Sequence, residues 1–270
     1  MTLRTDLLDA GVIRCALPEW PRGRLRLLEV HQELDSTSNR LLAVTDLPPG
    51  RFDACLAEFQ SAGRGRRGRR WLAPPASGLC LSVNWIFGER PPALGALPLA
   101  AGVAMLRALG RLGAAGLALK WPNDIVHEGR KLGGVLVDLR GEPAGPAYVV
   151  VGVGINVRLP AATLAAIAAE GPGATDLAAL GVRRSRSELA AALIAELARM
   201  LEEFGGRGVA AFADEWRAAD ALANRRVRVL QGGEVLEGLA RGVDADGALL
   251  VEAPGGERRV LSGEVSVRSA

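Results

Sequence analysis

The sequence is poor in the residues that build disulfide frameworks and histidine-dependent sites. Its 270 residues include three cysteines, Cys15, Cys55 and Cys80, and two histidines, His31 and His127. An odd number of cysteines without a C-x-x-C spacing builds neither a disulfide framework nor a zinc knuckle. A histidine metal site or a Ser-His-Asp triad would have to use one of the two histidines, and neither stands in a recognisable motif. The sequence therefore identifies no metal ligands.

Long apolar runs and targeting signals are also missing. The uncharged stretch at residues 91–106 contains Pro98 and is too short and too interrupted to span a bilayer. The N-terminal sequence MTLRTDLLDA carries early charges and no apolar core, so it does not resemble a secretory signal. Hydrophobic residues still make up 49% of the chain, which excludes disorder as its main state. These features predict a cytoplasmic, globular protein that does not enter a membrane.

The common nucleotide-binding and hydrolase motifs do not occur. The sequence contains no G-x-x-x-x-G-K-[ST] loop, no G-x-G-x-x-G after a strand and no G-x-S-x-G elbow. The nearest approach, Gly152-Val153-Gly154, lacks the third glycine and continues into an apolar segment. P-loop enzymes, dinucleotide-dependent enzymes and serine hydrolases are therefore disfavoured.

Positive charge is concentrated in one short segment. The chain has 33 basic and 30 acidic residues, and residues 63–70, GRGRRGRR, hold five of the arginines. Without those five, 28 basic residues face 30 acidic ones, whereas a general nucleic-acid-binding protein usually has a broader basic surface. The segment predicts a glycine-rich loop that clamps phosphate or carboxylate and orders when an anion arrives. A solvated basic loop or an RNA-binding tract is the alternative.

Lysine is rare, since only Lys120 and Lys131 occur among the 33 basic residues. They lie in KWPND (residues 120–124) and RKLGGVL (residues 130–136), where Trp121 is expected to offer a stacking face. The lysine ammonium is a compact hydrogen-bond donor whose pKa shifts with its surroundings, whereas the arginine guanidinium is a rigid, planar group that stays charged. Two lysines near Asp124, an anion clamp and no paired nucleophile indicate activation of a carboxylate by a nucleotide. Chance clustering of the two lysines is the alternative.

The hydrophobic pattern predicts an α+β fold, because strands and helices mix without strict alternation. DSTSN (residues 35–39) precedes an apolar run and predicts a helix N-terminus, whose hydroxyls either cap the helix or also face a ligand. After residue 224, short alternating strands separated by glycine turns predict a small β-barrel. Strands are expected at 25–31, 53–60, 78–87, 117–120, 125–127, 132–139 and 148–154, and helices at 93–109, 187–204 and 209–221.

Taken in order along the chain, these segments resemble the biotin protein ligases. The resemblance rests on DSTSN, AEFQSAGRGRRGRRW, LKWPNDI, RKLGGVLVDL and VVGVGINV, and it extends from about residue 28 to the end. It implies a mixed-sheet catalytic domain (residues 1–222) followed by an SH3-like β-barrel (residues 223–270). It also implies an enzyme that makes biotinyl-5′-AMP from biotin and Mg·ATP. Such an enzyme then transfers biotin to one lysine of a biotin carboxyl carrier protein domain and releases AMP.

The resemblance also implies roles for individual residues. Lys131 would bridge the biotin carboxylate and the ATP phosphates, Asp124 would assist the incoming carrier lysine, and Arg66 would complete the catalytic set. Biotin would be bound by Ser36, Thr37, Gln60, Gly63, Arg64, Gly65, Lys131, Gly133 and Gly134. ATP and the adenylate would be bound by Arg66, Arg67, Arg69, Trp71, Asn123, Lys131, Asn156 and Arg268.

Two other functions stay open. A lipoate-type acyl ligase would share the fold and the reaction class, although the arginine loop favours biotin. A biotin-sensing, nucleic-acid-binding regulator would belong to a different class. Only about 34 residues precede DSTSN, too few for a three-helix DNA-binding head, so we expect a monofunctional ligase that does not bind DNA. The sequence does not decide between a monomer and a homodimer.

Overall fold

The fold is built on one large sheet and one small sheet. The computed structural model describes residues 6–141, 145–169, 173–231, 233–261 and 264–267. Its α-helices are α1 Ala10–Ala16, α2 Glu19–Arg24, α3 Thr37–Leu42, α4 Leu97–Arg111, α5 Ala161–Ala169, α6 Arg186–Arg207 and α7 Ala213–Ala218. Its strands are β1 Leu25–Leu34, β2 Phe52–Gln60, β3 Gly78–Phe87, β4 Leu117–Lys120, β5 Asp124–His127, β6 Arg130–Arg140, β7 Ala147–Asn156, β8 Arg226–Gln231, β9 Glu234–Val243, β10 Leu249–Ala253, β11 Gly256–Val260 and β12 Glu264–Val267.

The large sheet has the strand order β1-β2-β3-β7-β6-β5-β4. Strands β1 and β2 run parallel, and every other neighbouring pair runs antiparallel. A parallel pair needs a crossover connection, and the segment that contains α3 supplies it. The predicted mixed-sheet α+β fold is therefore confirmed.

The two faces of the large sheet are covered differently. Helices α4 and α6 cover one face, where strand residues such as Leu56 pack with helix residues such as Leu197. Helix α3 covers part of the other face, where Leu41 packs with Cys55 and Tyr148. Neighbouring residues 55 and 56 point to opposite faces because side chains alternate along a strand. The rest of the α3 face stays open and forms the floor of the cleft described below.

Helices α4 and α6 form the buried layer under the sheet. A capping box between Ser185 and Glu188 fixes the start of α6. Residues Leu94–Arg111 are, within the described part of the chain, the one helical stretch long and apolar enough to cross a membrane, and 67% of that stretch is buried in the fold. The expectation that this region is too short to span a bilayer is therefore wrong, because the helical stretch has 18 residues. Its apolar composition is explained by its position in the core.

The small sheet has the order β11-β10-β9-β8-β12, and all its neighbouring pairs are antiparallel. The predicted C-terminal all-β unit is therefore confirmed. Strands β11 and β12 are its two edges, and the described residues contain no pairing between them. Closure into an SH3-like barrel and the limits 1–222 and 223–270 stay predictions.

Most expected elements occur, with informative exceptions. Strands β3 and β4 have the predicted bounds, while helices α1, α2 and α5 were not predicted. The predicted helix at 209–221 is a 3-10 turn, Val209–Phe212, followed by the short α7. Helix α7 ends because the next residues pair with β4. Leu119 N–H donates to the Ala219 carbonyl at 2.8 Å, and Ala221 N–H donates to the Leu119 carbonyl at 2.9 Å.

Candidate active site

A cleft of about 1260 Å³ lies on the open face of the large sheet and reaches the small sheet. Arg228, Leu230 and Val265 of the small sheet contribute to its wall. Gly63 and Gly133 do not line the cleft, and Arg268 lies outside the described residues. The cleft gathers most of the predicted site residues, namely Ser36, Thr37, Gln60, Arg64, Gly65, Arg66, Arg67, Arg69, Trp71, Asn123, Asp124, Lys131, Gly134 and Asn156.

One end of the cleft is a cluster of hydroxyls and one carboxamide. Ser36 caps α3 by accepting a hydrogen bond from the Asn39 N–H at 3.4 Å. The backbone N–H of Thr37 donates to Gln60 Oε1 at 2.8 Å, and Thr37 Oγ1 lies 3.1 Å from the same oxygen. Ser82 lies 2.8 Å from Thr37 through their hydroxyls and was not predicted as a site residue. The hydroxyls of DSTSN thus do more than cap a helix, because they meet β2 and β3.

The arginine-rich segment folds as a small hairpin over the cleft. Gly65 N–H donates to the Arg69 carbonyl at 2.7 Å, and Trp71 N–H donates to the Gly63 carbonyl at 3.0 Å. A 3-10 turn, Arg66–Gly68, forms its tip. Arg64 is paired with Asp138 of β6 at 2.8 Å, which docks the hairpin on the sheet. The expectation that an anion orders this loop stays a prediction.

The other end of the cleft is strongly cationic. Lys131 Nζ lies 2.6 Å from Asp124 Oδ1, so β5 and β6 bring the two predicted catalytic side chains together. Burial lowers the pKa of Lys120, and the neighbouring Lys131 and Arg69 lower it further. Burial likewise lowers the pKa of Arg66, with added repulsion from Arg67 and Arg69. Nine lysines and arginines line the cleft against the two carboxylates of Asp124 and Glu128. Such an excess of positive charge suits a polyanionic ligand.

Two glycines of β7 allow side chains of the cleft wall to pack directly on the strand backbone. A Cβ at Gly154 would lie 2.4 Å from Cε2 of Trp71, so the indole ring packs on bare backbone. A Cβ at Gly152 would lie 2.6 Å from Ser38 Oγ. On the cationic side, Lys131 Nζ lies 5.7 Å from the centre of the Trp71 ring. The alternation of Gly152 and Gly154 within a strand was the available signal for close approach.

Several predicted ligand contacts are instead engaged within the protein. Trp121 is 2% exposed, and its indole N–H donates to the Gly247 carbonyl at 3.0 Å. The expectation that Trp121 offers a stacking face is therefore wrong. Asn123 donates to the Val135 carbonyl at 2.6 Å.

Asn156 positions the segment that carries Lys131. Its side-chain N–H group donates to the carbonyls of Lys131 at 3.2 Å and Thr175 at 3.0 Å. The Lys131 N–H donates in turn to the Gly173 carbonyl at 3.2 Å. The Lys131 backbone is therefore held from two sides, and direct contact of Asn156 with a nucleotide stays a prediction.

A cluster of side chains that could bind a metal lies on β1 and β2. One ligand atom each from Glu29, His31 and Cys55 falls within 4.8 Å of the others, and the described residues contain no second such cluster. Arg40 already pairs with the Glu29 carboxylate at 2.6 Å. None of these residues lines the cleft.

The fold and the cleft together define a domain of the biotin and lipoate ligase class. Residues 33–156 match the Biotin/lipoate A/B protein ligase family, and residues 223–268 match the Biotin protein ligase C terminal domain.

Named relatives narrow this class. The chain is 40% identical to the Bifunctional ligase/repressor BirA of Escherichia coli over 266 residues, which are 98% of this chain and 79% of the relative. It is 38% identical to the Biotin--[acetyl-CoA-carboxylase] ligase of Mycobacterium tuberculosis, over 98% of this chain and 93% of the relative. A solved structure of biotin protein ligase from Aquifex aeolicus in complex with biotin and ATP is 27% identical with a TM-score of 0.72, over 92% of this chain and 99% of that one. The chain belongs to the biotin protein ligase family, and the sequence-based expectation of an ATP-dependent ligase is confirmed.

Proposed function

We propose that this chain activates biotin with ATP to biotinyl-5′-AMP and transfers biotin to a specific lysine of a biotin carboxyl carrier protein domain. The observation that carries the proposal is a single cleft with a hydroxyl and carboxamide cluster at one end and the Asp124–Lys131 pair among cations at the other. A substrate with a polar ring at one end and a carboxylate at the other fits this polarity.

The hydroxyl end favours biotin over lipoate. Biotin carries a cyclic urea with one carbonyl acceptor and two N–H donors, whereas the dithiolane ring of lipoate offers no such groups. Buried polar groups that meet a ligand lacking hydrogen-bond partners are left unpaired, which disfavours that ligand strongly. Thr37, which is 3% exposed, and the carboxamide of Gln60 line this end of the cleft, so it would penalise an apolar ring.

The cationic end supports the first half-reaction. A biotin carboxylate oxygen attacks the α-phosphorus of ATP, a mixed anhydride forms, and pyrophosphate leaves. Lys131, Arg66 and Arg69 would screen the repulsion between carboxylate and triphosphate and hold the reacting atoms together. The carboxylate of Asp124 already lies against Lys131, and a biotin carboxylate would enter beside it. The arginine hairpin would exclude water from the hydrolysable anhydride.

Magnesium would enter with the nucleotide. Mg²⁺ in nucleotide sites is held by one or two carboxylates together with substrate phosphates and water. The cleft offers Asp124 and Glu128, a sparse set of oxygen donors that fits a metal bound mainly through phosphate. The protein's own cations would carry the remaining charge.

The second half-reaction brings in the carrier. The amine of the carrier lysine attacks the acyl carbon, an amide forms, AMP leaves, and the amine proton passes to a base. We assign Asp124 to accept this proton, because it is a carboxylate placed at the reacting end of the cleft. The carrier domain of a biotin-dependent carboxylase is the proposed partner. A cytoplasmic location follows from that partner, while the absence of DNA binding and a homodimer remain separate expectations.

Pyrophosphate release from Mg·ATP tests the proposal, with biotin, lipoate or octanoate as the acid and no carrier present. Release with biotin alone, near one equivalent per enzyme, is expected because the adenylate stays bound. Release with lipoate alone would transfer the assignment to the lipoate-type ligase. No release with any acid would refute ligase chemistry in this cleft.

The role of Lys131 is tested by Lys131→Ala, which we expect to abolish pyrophosphate release. The matched control is Arg130→Ala, which removes the adjacent cation, whose partner is Glu128 at the turn. Lys131→Ala with near-normal turnover would overturn the assignment. Transfer is tested by adding a carrier domain and detecting biotin on its lysine with streptavidin.

A further inference from the structure

We propose that Ser82, through a one-directional hydrogen-bond chain that runs from Ser38 to Ser82 to Thr37 to Gln60, is a positioning residue for the ureido ring of biotin. The inference rests on the proposed function, because it names how the hydroxyl end of the cleft would recognise that ring. Ser82 was not among the residues carried over by resemblance.

The orientation of Gln60 follows from its partners. Gln60 Oε1 lies 2.8 Å from the backbone nitrogen of Thr37, and a backbone N–H can only donate, so the carboxamide oxygen must face it. Thr37 Oγ1 lies 3.1 Å from the same oxygen. A carboxamide oxygen cannot donate, so the Thr37 hydroxyl hydrogen is spent on Gln60.

The direction of the other two hydrogen bonds is then determined. A hydroxyl has a single hydrogen, so Thr37 Oγ1 must accept from Ser82 in their 2.8 Å contact. The Ser82 hydrogen is thereby used, and Ser82 Oγ must accept from Ser38 in their 3.0 Å contact. Ser38, Ser82 and Thr37 are 5%, 0% and 3% exposed, so bulk water does not compete for these bonds. The hydrogen-bonded side chains pack on the bare backbone of Gly152, since a Cβ there would lie 2.6 Å from Ser38 Oγ.

This arrangement gives the site a fixed hydrogen-bonding pattern. Both acceptor lone pairs of Gln60 Oε1 are filled by Thr37, so Gln60 can meet a ligand only through its N–H bonds. Thr37 Oγ1 has spent its hydrogen and accepts from Ser82, so it can meet a ligand only with its remaining lone pair. A donor and an acceptor side by side match the carbonyl and one N–H of a cyclic urea. Ser82 holds the Thr37 hydroxyl in the position that presents this pattern, without needing to touch the ligand.

The variant Ser82→Ala removes the donor to Thr37 and the acceptor for Ser38. With the carrier domain present so that the enzyme turns over, we expect the KM for biotin to rise about tenfold, as for the loss of one buried neutral hydrogen bond, with kcat and the KM for ATP unchanged. Desthiobiotin keeps the urea and lacks the thioether ring, and we expect its KM to rise by the same factor. Ser38→Ala leaves the Ser82–Thr37 bond in place and should have the smaller effect.

The matched control is Ser187→Ala, which removes another buried hydroxyl, one that accepts from Asp9 N–H outside the cleft. If Ser82→Ala does not fold, Thr37→Val and Thr37→Ser test the next hydroxyl of the hydrogen-bond chain, and the valine variant should raise the KM for biotin well above that of the serine variant. An unchanged KM for biotin in Ser82→Ala would overturn the inference. So would an equal rise in the KM for ATP, or a rise for biotin without one for desthiobiotin. A larger effect of Ser38→Ala than of Ser82→Ala would also overturn it. Failure of the wild-type enzyme to use biotin would instead refute the proposed function.

Discussion

The buried pair of Arg186 and Glu58 provides a quantitative test of how the sheet is held. Arg186 is 0% exposed, and its Nη2 lies 2.7 Å from Glu58 Oε2. Its Nη1 donates to the Gly78 carbonyl at 3.2 Å, and its Nε donates to the Asp6 carbonyl at 2.9 Å. The other Glu58 oxygen accepts from the Leu8 N–H at 2.7 Å. One side chain of α6 thus fastens the N-terminal segment to β2 and β3.

Replacing Arg186 by methionine keeps most of the volume and removes the charge. Glu58, at 5% exposure, would then be a buried carboxylate with a single N–H donor. Breaking such a pair from one side costs about 3–5 kcal/mol, a large part of the ~5–15 kcal/mol that typically separates folded from unfolded states. The double variant Glu58→Leu/Arg186→Met removes both charges. It should lose less stability than the sum of the two single changes, because no buried charge is left unpaired.

Urea unfolding followed by tryptophan fluorescence measures these free energies. The matched control is Arg207→Met, which breaks an exposed pair with Glu203 on the same helix and should cost less than about 1 kcal/mol. A loss below about 1 kcal/mol for Arg186→Met, or strict additivity of the two single changes, would refute the reasoning.

Three further predictions concern the cleft. Arg66→Ala should open the loop side of the site and release adenylate, so pyrophosphate release without carrier should exceed one equivalent. Continued retention at one equivalent would contradict this. Gly154→Ala should displace the Trp71 ring, since its Cβ would lie 2.4 Å from Cε2, and should lower tryptophan burial and ATP affinity together. Unchanged fluorescence would refute it. Because burial lowers the pKa of Lys120, its charge is lost at lower pH than for an ordinary lysine. Adenylation should therefore fall on the alkaline side, and Lys120→Arg should shift that fall to higher pH; a profile identical in both enzymes would exclude Lys120 as the titrating group.

Local sequence signals predicted the elements whose limits are set locally. Ser36 stands before an apolar run and does cap α3. Strand β3 has the predicted bounds because its alternating pattern ends in turn residues on both sides. Helix α7 was predicted too long, because Ala219 and Ala221 follow a good helical pattern but hydrogen-bond to Leu119 of β4. Tertiary pairing overrode helix propensity there, and no local pattern shows it.

The residues of the candidate site, too, were predicted only where the sequence signal is local. Contiguous motifs identified Gln60, Asp124 and Lys131, which the structure places in one cleft. Ser82 was missed because it lies inside a strand with no motif around it, and the contact of Gly152 was missed although VVGVGINV contains that residue. They face each other across β3 and β7 in the register of the sheet. A contact of this kind is set by strand pairing over a long sequence separation, so it appears only once the register is known.

Membership in a motif also does not decide whether a residue meets the ligand. In KWPND, Trp121 is buried against Gly247 and Asn123 holds the Val135 carbonyl, while Asp124 reaches Lys131 in the cleft. Trp121 thereby ties the turn to the small sheet. The same five residues therefore supply the proposed base and the two contacts that fix its position. A carboxylate that acts as a base must be held to a fraction of an ångström, and the hydrogen bonds from Trp121 and Asn123 to backbone carbonyls hold the turn that carries Asp124.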